Sequence, residues 1–317
     1  MRKFIGEREF LREMESTVLP YLAAREAVRT VAARDGKLLH TVHYKADAPS
    51  GTVVLLHGFS ENAEKYREFI YYLLREGLSV LTFDQRGHGR SYRSAAAGIS
   101  HIDRFDQYVS DLEALLEAWE NSLFAPLYLF AHSMGGAVAM LYLQKHGNVF
   151  KKAVLSAPMI DLQYRGVTRA ACVLACGFCV LTGRAKKPVF ISKKDYENEP
   201  FEVSLALSRA RFTYLQELRR SDPILSGGAP SYRWSLAALG VRKSILQGGA
   251  PERVDLPVLI LAAEHEQLVS PEAQRRLAHR LPRATLRVVQ GSKHEILLAN
   301  DEILHPTLED IMNFLKD

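Results

Sequence analysis

Cysteine and long apolar stretches are both scarce in this chain of 317 residues. The three cysteines, Cys172, Cys176 and Cys179, lie close together, and an odd, clustered set argues against a disulfide framework. No run of about 20 apolar residues occurs, so we expect no transmembrane helix. The N-terminal segment mixes charges of both signs without an apolar centre, and we expect no secretory signal. These absences favour a reducing, cytoplasmic location.

A strong charge of one sign is also missing. Lys and Arg number 41 against 36 Asp and Glu, a formal net charge of +5. The basic residues form no long runs and no aromatic-basic pattern, which argues against a nucleic-acid partner. The mild excess is a weak bias toward anionic surfaces such as phospholipid.

Short apolar runs alternate with longer amphipathic segments. The runs predicted as buried strands are 52–56, 78–83, 127–131, 152–156, 257–262 and 285–289. The predicted helices are 63–76, 104–120, 134–146, 271–281 with Ser270 as N-cap, and a last helix ending near Lys316. This alternation predicts an α/β fold with a mostly parallel central sheet flanked by helices.

One region interrupts the alternation. Between Pro158 and about Val254 the sequence predicts helices but no clear strands. We therefore expect a core made of residues 1–158 and 255–317 and a helical insertion, called the cap, over residues 159–254.

The segment 130–136, with Ser133 at its centre, carries the strongest chemical signal. It joins a predicted strand to a predicted helix, the context of a strained turn that exposes a serine Oγ. Small residues are needed two positions before and after the serine, because strand and helix backbones crowd there. Gly135 meets this requirement, and Ala131 meets it with one extra methyl group. The alternative is a serine-containing turn without chemistry.

An acyl-transfer serine needs a base and an orienting acid, which follow such a turn in the order acid, then histidine. Of the four histidines after the cap, His294 follows a predicted strand directly, and it is the predicted base. Two neighbouring glutamates compete for the role of acid. Glu266 lies farther into its loop and is favoured over Glu264, which stays open as the alternative.

An oxyanion hole needs two preorganised N–H groups. We expect one from Met134, the residue after the serine, and one from Phe59, in the loop after the strand 52–56.

His57 precedes the serine and is interpreted as a structural histidine. The glycine-rich segment 83–91 lacks the spacing of a phosphate-binding loop, and a tight turn held by Asp84 and Arg86 is favoured.

The cysteine spacing also matches that of a three-thiolate iron–sulfur loop. However, its flanks are apolar and helical, and a helix would place all three cysteines on one apolar face. We therefore favour three cysteines that pack in an apolar helix face over an iron–sulfur site, and we expect no metal or organic cofactor.

Taken together, these motifs resemble the α/β-hydrolase fold and, within it, the lysophospholipase and monoacylglycerol lipase branch, most closely the bacterial membrane-associated lysophospholipases. The resembling segments are 57–66, 83–91, 101–116, 131–137, 156–159, 264–269 and 293–298, with a cap motif at 231–234. The resemblance implies a helical cap inserted before the acid-bearing strand. It also implies a catalytic triad of Ser133, Glu266 and His294.

The function expected from these residues is hydrolysis of carboxylic esters of lipids, with lysophospholipids or monoacylglycerols as substrates. A general carboxylesterase, thioesterase or acyltransferase of the same fold is the runner-up, and a non-catalytic binding module is a distant alternative.

The apolar segment 170–181 is too short to span a membrane. It is flanked by Arg165, Arg169, Arg184, Lys186 and Lys187. One interpretation is an interfacial helix at the acyl-chain entrance, resting on the anionic inner face of the cell membrane. The other is a cap helix buried against the core.

Overall fold

From residue 51 onward the strands of the central sheet alternate with helices, as the sequence predicts. Two strands before it, over 26–32 and 38–44, are not predicted. The computed structural model describes residues 3–96, 98–147, 149–164, 166–189 and 199–317. Within these residues the strands are β1 (Glu26–Ala32), β2 (Leu38–Tyr44), β3 (Gly51–Leu56), β4 (Leu78–Phe83), β5 (Ile99–Ser100), β6 (Leu127–His132), β7 (Lys152–Ser156), β8 (Ala229–Pro230), β9 (Val258–His265) and β10 (Ala284–Lys293).

Eight of the strands in the described residues form one sheet in the order β1-β2-β4-β3-β6-β7-β9-β10. From β4 to β10 all neighbours pair in parallel, whereas β2 pairs antiparallel with both β1 and β4. The parallel strands therefore end at the same edge of the sheet. Loops that follow them are brought together there.

Helices cover both faces of this sheet. They are α1 (Phe10–Glu13), α2 (Leu19–Ala23), α3 (Arg67–Arg75), α4 (Asp106–Trp119), α5 (Met134–His146), α6 (Arg169–Cys179), α7 (Arg209–Ser221), α8 (Tyr232–Leu246), α9 (Pro271–Arg280) and α10 (Asp301–Lys316). Alternate residues of β3 show the two apolar cores. Val54 and Leu56 pack with α4, α5, α8 and α9, and Val53 and Leu55 pack with α1, α2, α3 and α10. The period of two along a fully buried strand is what a sheet covered on both faces requires.

The cap is mostly helical, with two differences from the prediction. It contains the short strand β8, which pairs in parallel with β5 of the core. Two residues are too few to show a strand period, so the sequence pattern misses this pair. In addition, α8 packs Trp234 and Ile245 into the same apolar core as α5. The boundaries at 158 and 255 stay a prediction.

Helix α6 shows two different apolar faces. Thr168 is its N-cap and accepts a hydrogen bond from the Ala171 N–H at 3.2 Å. All three cysteines lie in the face that packs against Tyr232 and Leu239 of α8, as expected for a packed helix. Leu174 and Phe178, in contrast, are 73% and 65% exposed, and Leu181, in the turn that follows the helix, is 87% exposed. Among the described helices, none is long and apolar enough to cross a membrane.

Candidate active site

Ser133 lies at a strained turn between β6 and α5. Its φ of +50° and ψ of −115° are unfavourable for a residue with a side chain. Hydrogen bonds fix the turn, because Ser133 N–H donates to Ser156 O at 3.0 Å and Ser133 O accepts from Met159 N–H at 2.8 Å. The surrounding structure thus holds the serine in a conformation that it would not adopt alone.

Gly135 is required by the crowding that the sequence predicts. A Cβ at this position would lie 2.5 Å from Leu56 O and 2.8 Å from His57 O, closer than any real contact. Ala131, in contrast, is fully buried in the core without displacing the turn. The position two residues before the serine therefore tolerates a methyl group, and the one two residues after it does not.

His294 meets Ser133 at the edge of the sheet. It follows β10 directly, and its Nε2 lies 3.0 Å from Ser133 Oγ. Both side chains are buried. An imidazole at this distance can accept the hydroxyl proton.

Glu266 completes a hydrogen-bonded chain. Its carboxylate oxygens lie 2.8 and 2.9 Å from His294 Nδ1, and one of them also accepts from the N–H groups of Gln267 and Leu268 at 2.8 Å. Burial raises the pKa of Glu266. The hydrogen bond to His294 and the charge of that residue lower it by more, so the pKa of Glu266 is below its ordinary value. Burial likewise lowers the pKa of His294, and Glu266 more than offsets this and raises it.

Glu264 occupies a different environment from Glu266. Its carboxylate accepts from the Gly291 N–H at 2.6 Å, and its side chain is 39% exposed at the end of β9. The residue that reaches His294 is thus the one favoured by its depth in the loop.

One expected oxyanion donor directly follows Ser133 in the chain, and the other lies in the wall of the same cavity. Met134 is the first residue of α5, where N–H groups have no partner within the helix. Phe59 lies in the loop of residues 57–62, after β3, and lines the same cavity as Ser133. Gly58 N–H donates to Glu61 Oε2 at 2.7 Å, which holds the backbone next to Phe59.

His57 and Arg86 have structural contacts, as expected. His57 Nε2 accepts from the Gln85 N–H at 2.8 Å, and its Nδ1 lies 2.7 Å from Gly58 O. Arg86 forms ion pairs with the carboxylates of Asp111 and Asp35. The side chain of Asp84 accepts hydrogen bonds from the N–H group of Arg90, within the glycine-rich segment, and from that of Ala63, after the 57–62 loop. The glycine-rich segment is therefore a tight turn.

A largely buried group of ionisable residues lies behind His294, and no motif in the sequence predicts it. We call it the ionic cluster, and its members are Glu61, Lys65, His132 and Glu295. Ligand atoms of Glu61, His132 and Glu295 lie within 4.8 Å of one another, the one such metal-like group among the described residues. The Lys65 ammonium contacts both carboxylates, so a cation is already supplied by the protein. The signal available in the sequence was adjacency, since His132 and Glu295 are neighbours of Ser133 and His294.

A cavity of about 120 Å³ opens beside Ser133 and His294. The core contributes residues of the 57–62 loop and Leu298 to its wall. The cap contributes polar Glu199, Ser204 and Arg219 together with apolar Leu205, Ala206, Phe212 and Leu215. The cavity wall thus combines the side chains of Ser133 and His294 with both polar and apolar residues of the cap.

The cap is bound directly to the 57–62 loop. Ser60 Oγ donates to Gly228 O at 2.7 Å, and Asn62 Nδ2 donates to Leu225 O at 3.0 Å. Gly227 packs so closely that a Cβ there would lie 2.5 Å from Ser60 Cβ. The position of this cap segment therefore depends on the position of the loop.

Similar proteins agree with this architecture. Among solved structures, a soluble variant of monoglyceride lipase from Saccharomyces cerevisiae in complex with a substrate analog superposes with a TM-score of 0.74, covering 92% of this chain and 95% of that one at 18% identity. A highly thermostable carboxyl esterase from Bacillus coagulans superposes with a TM-score of 0.75, covering 92% of this chain and 98% of that one at 19% identity. At these identities the likeness concerns the fold, and it confirms the predicted α/β-hydrolase fold.

Relatives in sequence extend the likeness. The chain is 29% identical over 267 residues to a probable lysophospholipase L2 of Haemophilus influenzae, with 83% of each chain covered. It is 30% identical over 289 residues to lysophospholipase L2 of Escherichia coli K12, covering 87% of this chain and 83% of that one. The model of the family described as serine aminopeptidase, S33 (Hydrolase_4) matches residues 47–301. This chain therefore belongs to that family of α/β-hydrolases.

Proposed function

We propose that this protein is a serine hydrolase that cleaves carboxylic esters of lipids, with lysophospholipids or monoacylglycerols as its substrates. The observation that carries the proposal is the buried chain of hydrogen bonds from Ser133 through His294 to Glu266. The names of the lysophospholipase and monoacylglycerol lipase relatives support the choice of substrate.

The reaction begins when Ser133 Oγ attacks the ester carbonyl and His294 Nε2 accepts its proton. Glu266 holds the Nδ1–H tautomer and stabilises the imidazolium. The N–H groups of Phe59 and Met134 stabilise the oxyanion of the tetrahedral intermediate. His294 then protonates the leaving alcohol, and water, activated by the same imidazole, hydrolyses the acyl-enzyme.

The lining of the cavity supports the proposal of a substrate with a lipid acyl group. Phe212 and Leu215 from α7 and Leu298 from the core give it an apolar wall near Ser133. Apolar walls with a few polar groups at the reacting end are typical of sites for small amphipathic ligands.

The proposed function is tested with Ser133→Ala and with Ser270→Ala, which removes the N-cap of α9, as a matched control. Wild type and Ser270→Ala are expected to hydrolyse lysophospholipids or monoacylglycerols, whereas Ser133→Ala loses more than about 1,000-fold in kcat. A fluorophosphonate should label the first two proteins and not the third. Retention of 10% activity by Ser133→Ala contradicts the assignment of the nucleophile. Absent labelling of wild type favours a binding module.

The substrate panel also separates the alternatives on the same fold. Short acyl esters, acyl thioesters and a competing alcohol acceptor are assayed beside the two lipid classes. A preference for short esters or thioesters, or transfer to the alcohol instead of water, contradicts the lipid hydrolase in favour of an esterase, thioesterase or acyltransferase.

We further propose that the exposed face of α6 rests on an anionic membrane, the cytoplasmic face of the cell membrane. Support comes from the exposed Leu174, Phe178 and Leu181, followed by exposed Arg184, Lys186 and Lys187. Arg169 is not part of this surface, because its guanidinium donates to Leu239 O at 2.6 Å. Arg165 lies outside the described residues.

A further inference from the structure

Lys65 is a buried cation that contacts two carboxylates from different loops. Its side chain is only 4% exposed. Its Nζ lies 2.5 Å from Glu61 Oε1 and also donates to Glu295 Oε2. A buried ammonium is expensive to desolvate unless it is paired, and here the two carboxylates raise its pKa above the ordinary value although burial lowers it.

Each carboxylate is tied to a different part of the candidate active site. Glu61 Oε2 accepts from the Gly58 N–H at 2.7 Å and from the Tyr66 hydroxyl at 2.6 Å. Gly58 directly precedes Phe59, whose N–H is a proposed oxyanion donor. Glu295 directly follows His294, the proposed base. Lys65 thus joins the loop of one catalytic group to the loop of the other.

His132 closes the ionic cluster on the side of the nucleophile. Its Nε2 lies 3.5 Å from Glu61 Oε1 and 3.7 Å from Glu295 Oε2, and its ring centroid lies 5.0 Å from that of His294. Burial lowers the pKa of His132 to about 4, so this imidazole is neutral at pH 7. Two carboxylates, one ammonium and one neutral imidazole give the ionic cluster a net charge of −1.

We propose that Lys65 is a positioning residue for the hydrolysis, because its contacts with Glu61 and Glu295 fix the distance between the 57–62 loop and the loop that carries His294. This inference rests on the proposed function. Oxyanion donors and base must be held within fractions of an ångström for the transition state, so a looser spacing lowers kcat more than it changes substrate binding.

The charge of the ionic cluster also acts on His294. The ionisable groups that face this imidazole are Glu266 from the 264–269 loop, Glu295 from its own loop and Glu61 from the 57–62 loop, with Lys65 and His132 behind the last two. From the cap, Glu199 and Arg219 line the same cavity as His294. Removing the positive charge of Lys65 leaves more negative charge near His294 and raises its pKa. Removing the negative charge of Glu295 has the opposite effect.

The test compares Lys65→Met, Lys65→Arg and Glu295→Gln, with Lys152→Met as a matched control. Lys152 is a second buried lysine, at the start of β7, and its Nζ donates to the Phe314 carbonyl at 2.7 Å. Hydrolysis of p-nitrophenyl acetate is measured from pH 5 to 9, and rates are normalised to the folded fraction determined by circular dichroism.

We expect Lys65→Met to lower kcat about 10- to 100-fold with KM within about threefold. Lys65→Arg keeps the positive charge, and its kcat should fall less than that of Lys65→Met. The acidic limb of kcat/KM moves to higher pH in Lys65→Met and to lower pH in Glu295→Gln, while Lys152→Met leaves it in place.

A folded Lys65→Met with kcat within about twofold of wild type and an unmoved acidic limb overturns the inference. If Lys65→Met does not fold, Glu295→Gln decides the question. An unmoved limb and unchanged kcat in that folded variant overturn the inference as well. Failure of the proposed function is recognised separately, because then wild type is not labelled by the fluorophosphonate or Ser133→Ala stays active.

Discussion

At the scale of single residues, Glu266 and Glu264 show how the place of a glutamate in the chain decides which group its carboxylate contacts. Both are glutamates near the end of β9, yet only the first has its carboxylate against His294. Replacing Glu266 by Gln removes the charge that orients and stabilises the imidazolium, at nearly constant size. We expect kcat to fall about 1,000- to 10,000-fold, and the acidic limb of kcat/KM to move to lower pH because the pKa of His294 falls.

Glu264→Gln is the matched control for this prediction. Its amide oxygen can still accept from the Gly291 N–H, so activity on a soluble ester should stay within about threefold of wild type. A larger loss in Glu264→Gln than in Glu266→Gln reverses the assignment of the acid.

The residues near Ser133 differ in how far they could be predicted. Ser133, Phe59 and Met134 belong to local motifs whose spacing reflects a single turn or loop, and such spacing is visible in one sequence. The contact of Lys65 with Glu295 joins residues 230 positions apart. No local pattern reports a pairing of that range, so the ionic cluster appears only once the sheet has brought the two loops together.

At the scale of elements, the sequence predicts the sheet strands β3, β4, β6, β7, β9 and β10 and misses β1 and β2, which lie together at one side of the sheet. The residues of β3 and β4 are all buried, which gives continuous apolar runs. In β1 six of the seven residues are exposed, since it is an edge strand paired only with β2 in the described sheet. Its sequence EAVRTVA mixes charged and apolar residues and has no continuous apolar run, so the pattern that marks a buried strand does not occur in it.

Helix α6 carries the prediction that belongs to this scale. If its exposed face rests on lipid, binding to phosphatidylglycerol vesicles should exceed binding to phosphatidylcholine vesicles and weaken with salt. Changing Arg184, Lys186 and Lys187 together to Gln should weaken binding by up to about 100-fold, at roughly 1 kcal/mol for each cation. Co-sedimentation measures this, and hydrolysis of a short soluble ester should be unchanged.

The control changes Arg275 and Arg276, two exposed cations of α9, to Gln. This double variant should bind vesicles as wild type does. Absence of vesicle binding by wild type at low salt contradicts membrane contact, and the proposed hydrolysis does not depend on it.

At the scale of the whole molecule, buried histidines set the response to acid. Burial lowers the pKa of His43 and His132 to about 4 and that of His88 to about 3. The unfolded chain binds protons at these residues below pH 6.5, while the folded protein does not. The free energy of unfolding therefore falls as the pH drops from about 6.5 toward 4.

At pH 5, each of these histidines lowers the free energy of unfolding by about 2 kcal/mol, because pH 5 is about 1.5 units below the ordinary histidine pKa and one unit corresponds to about 1.4 kcal/mol. His294 opposes the trend, because its pKa is raised in the folded protein. We expect the midpoint of urea unfolding to be clearly lower at pH 5 than at pH 7.5. His88→Gln, which does not titrate, should reduce the difference, and equal midpoints at the two pH values contradict the prediction.

The contact between the 57–62 loop and the cap has a consequence for exchanging caps between related enzymes. The segment 225–230 is connected in sequence to the cap, but it packs against Ser60 and Asn62 as closely as a piece of the core does. A chimera cut at the ends of the insertion would pair a foreign segment with the native loop and displace the backbone beside Phe59. Residues 57–62 and 225–230 should therefore be transplanted as one unit.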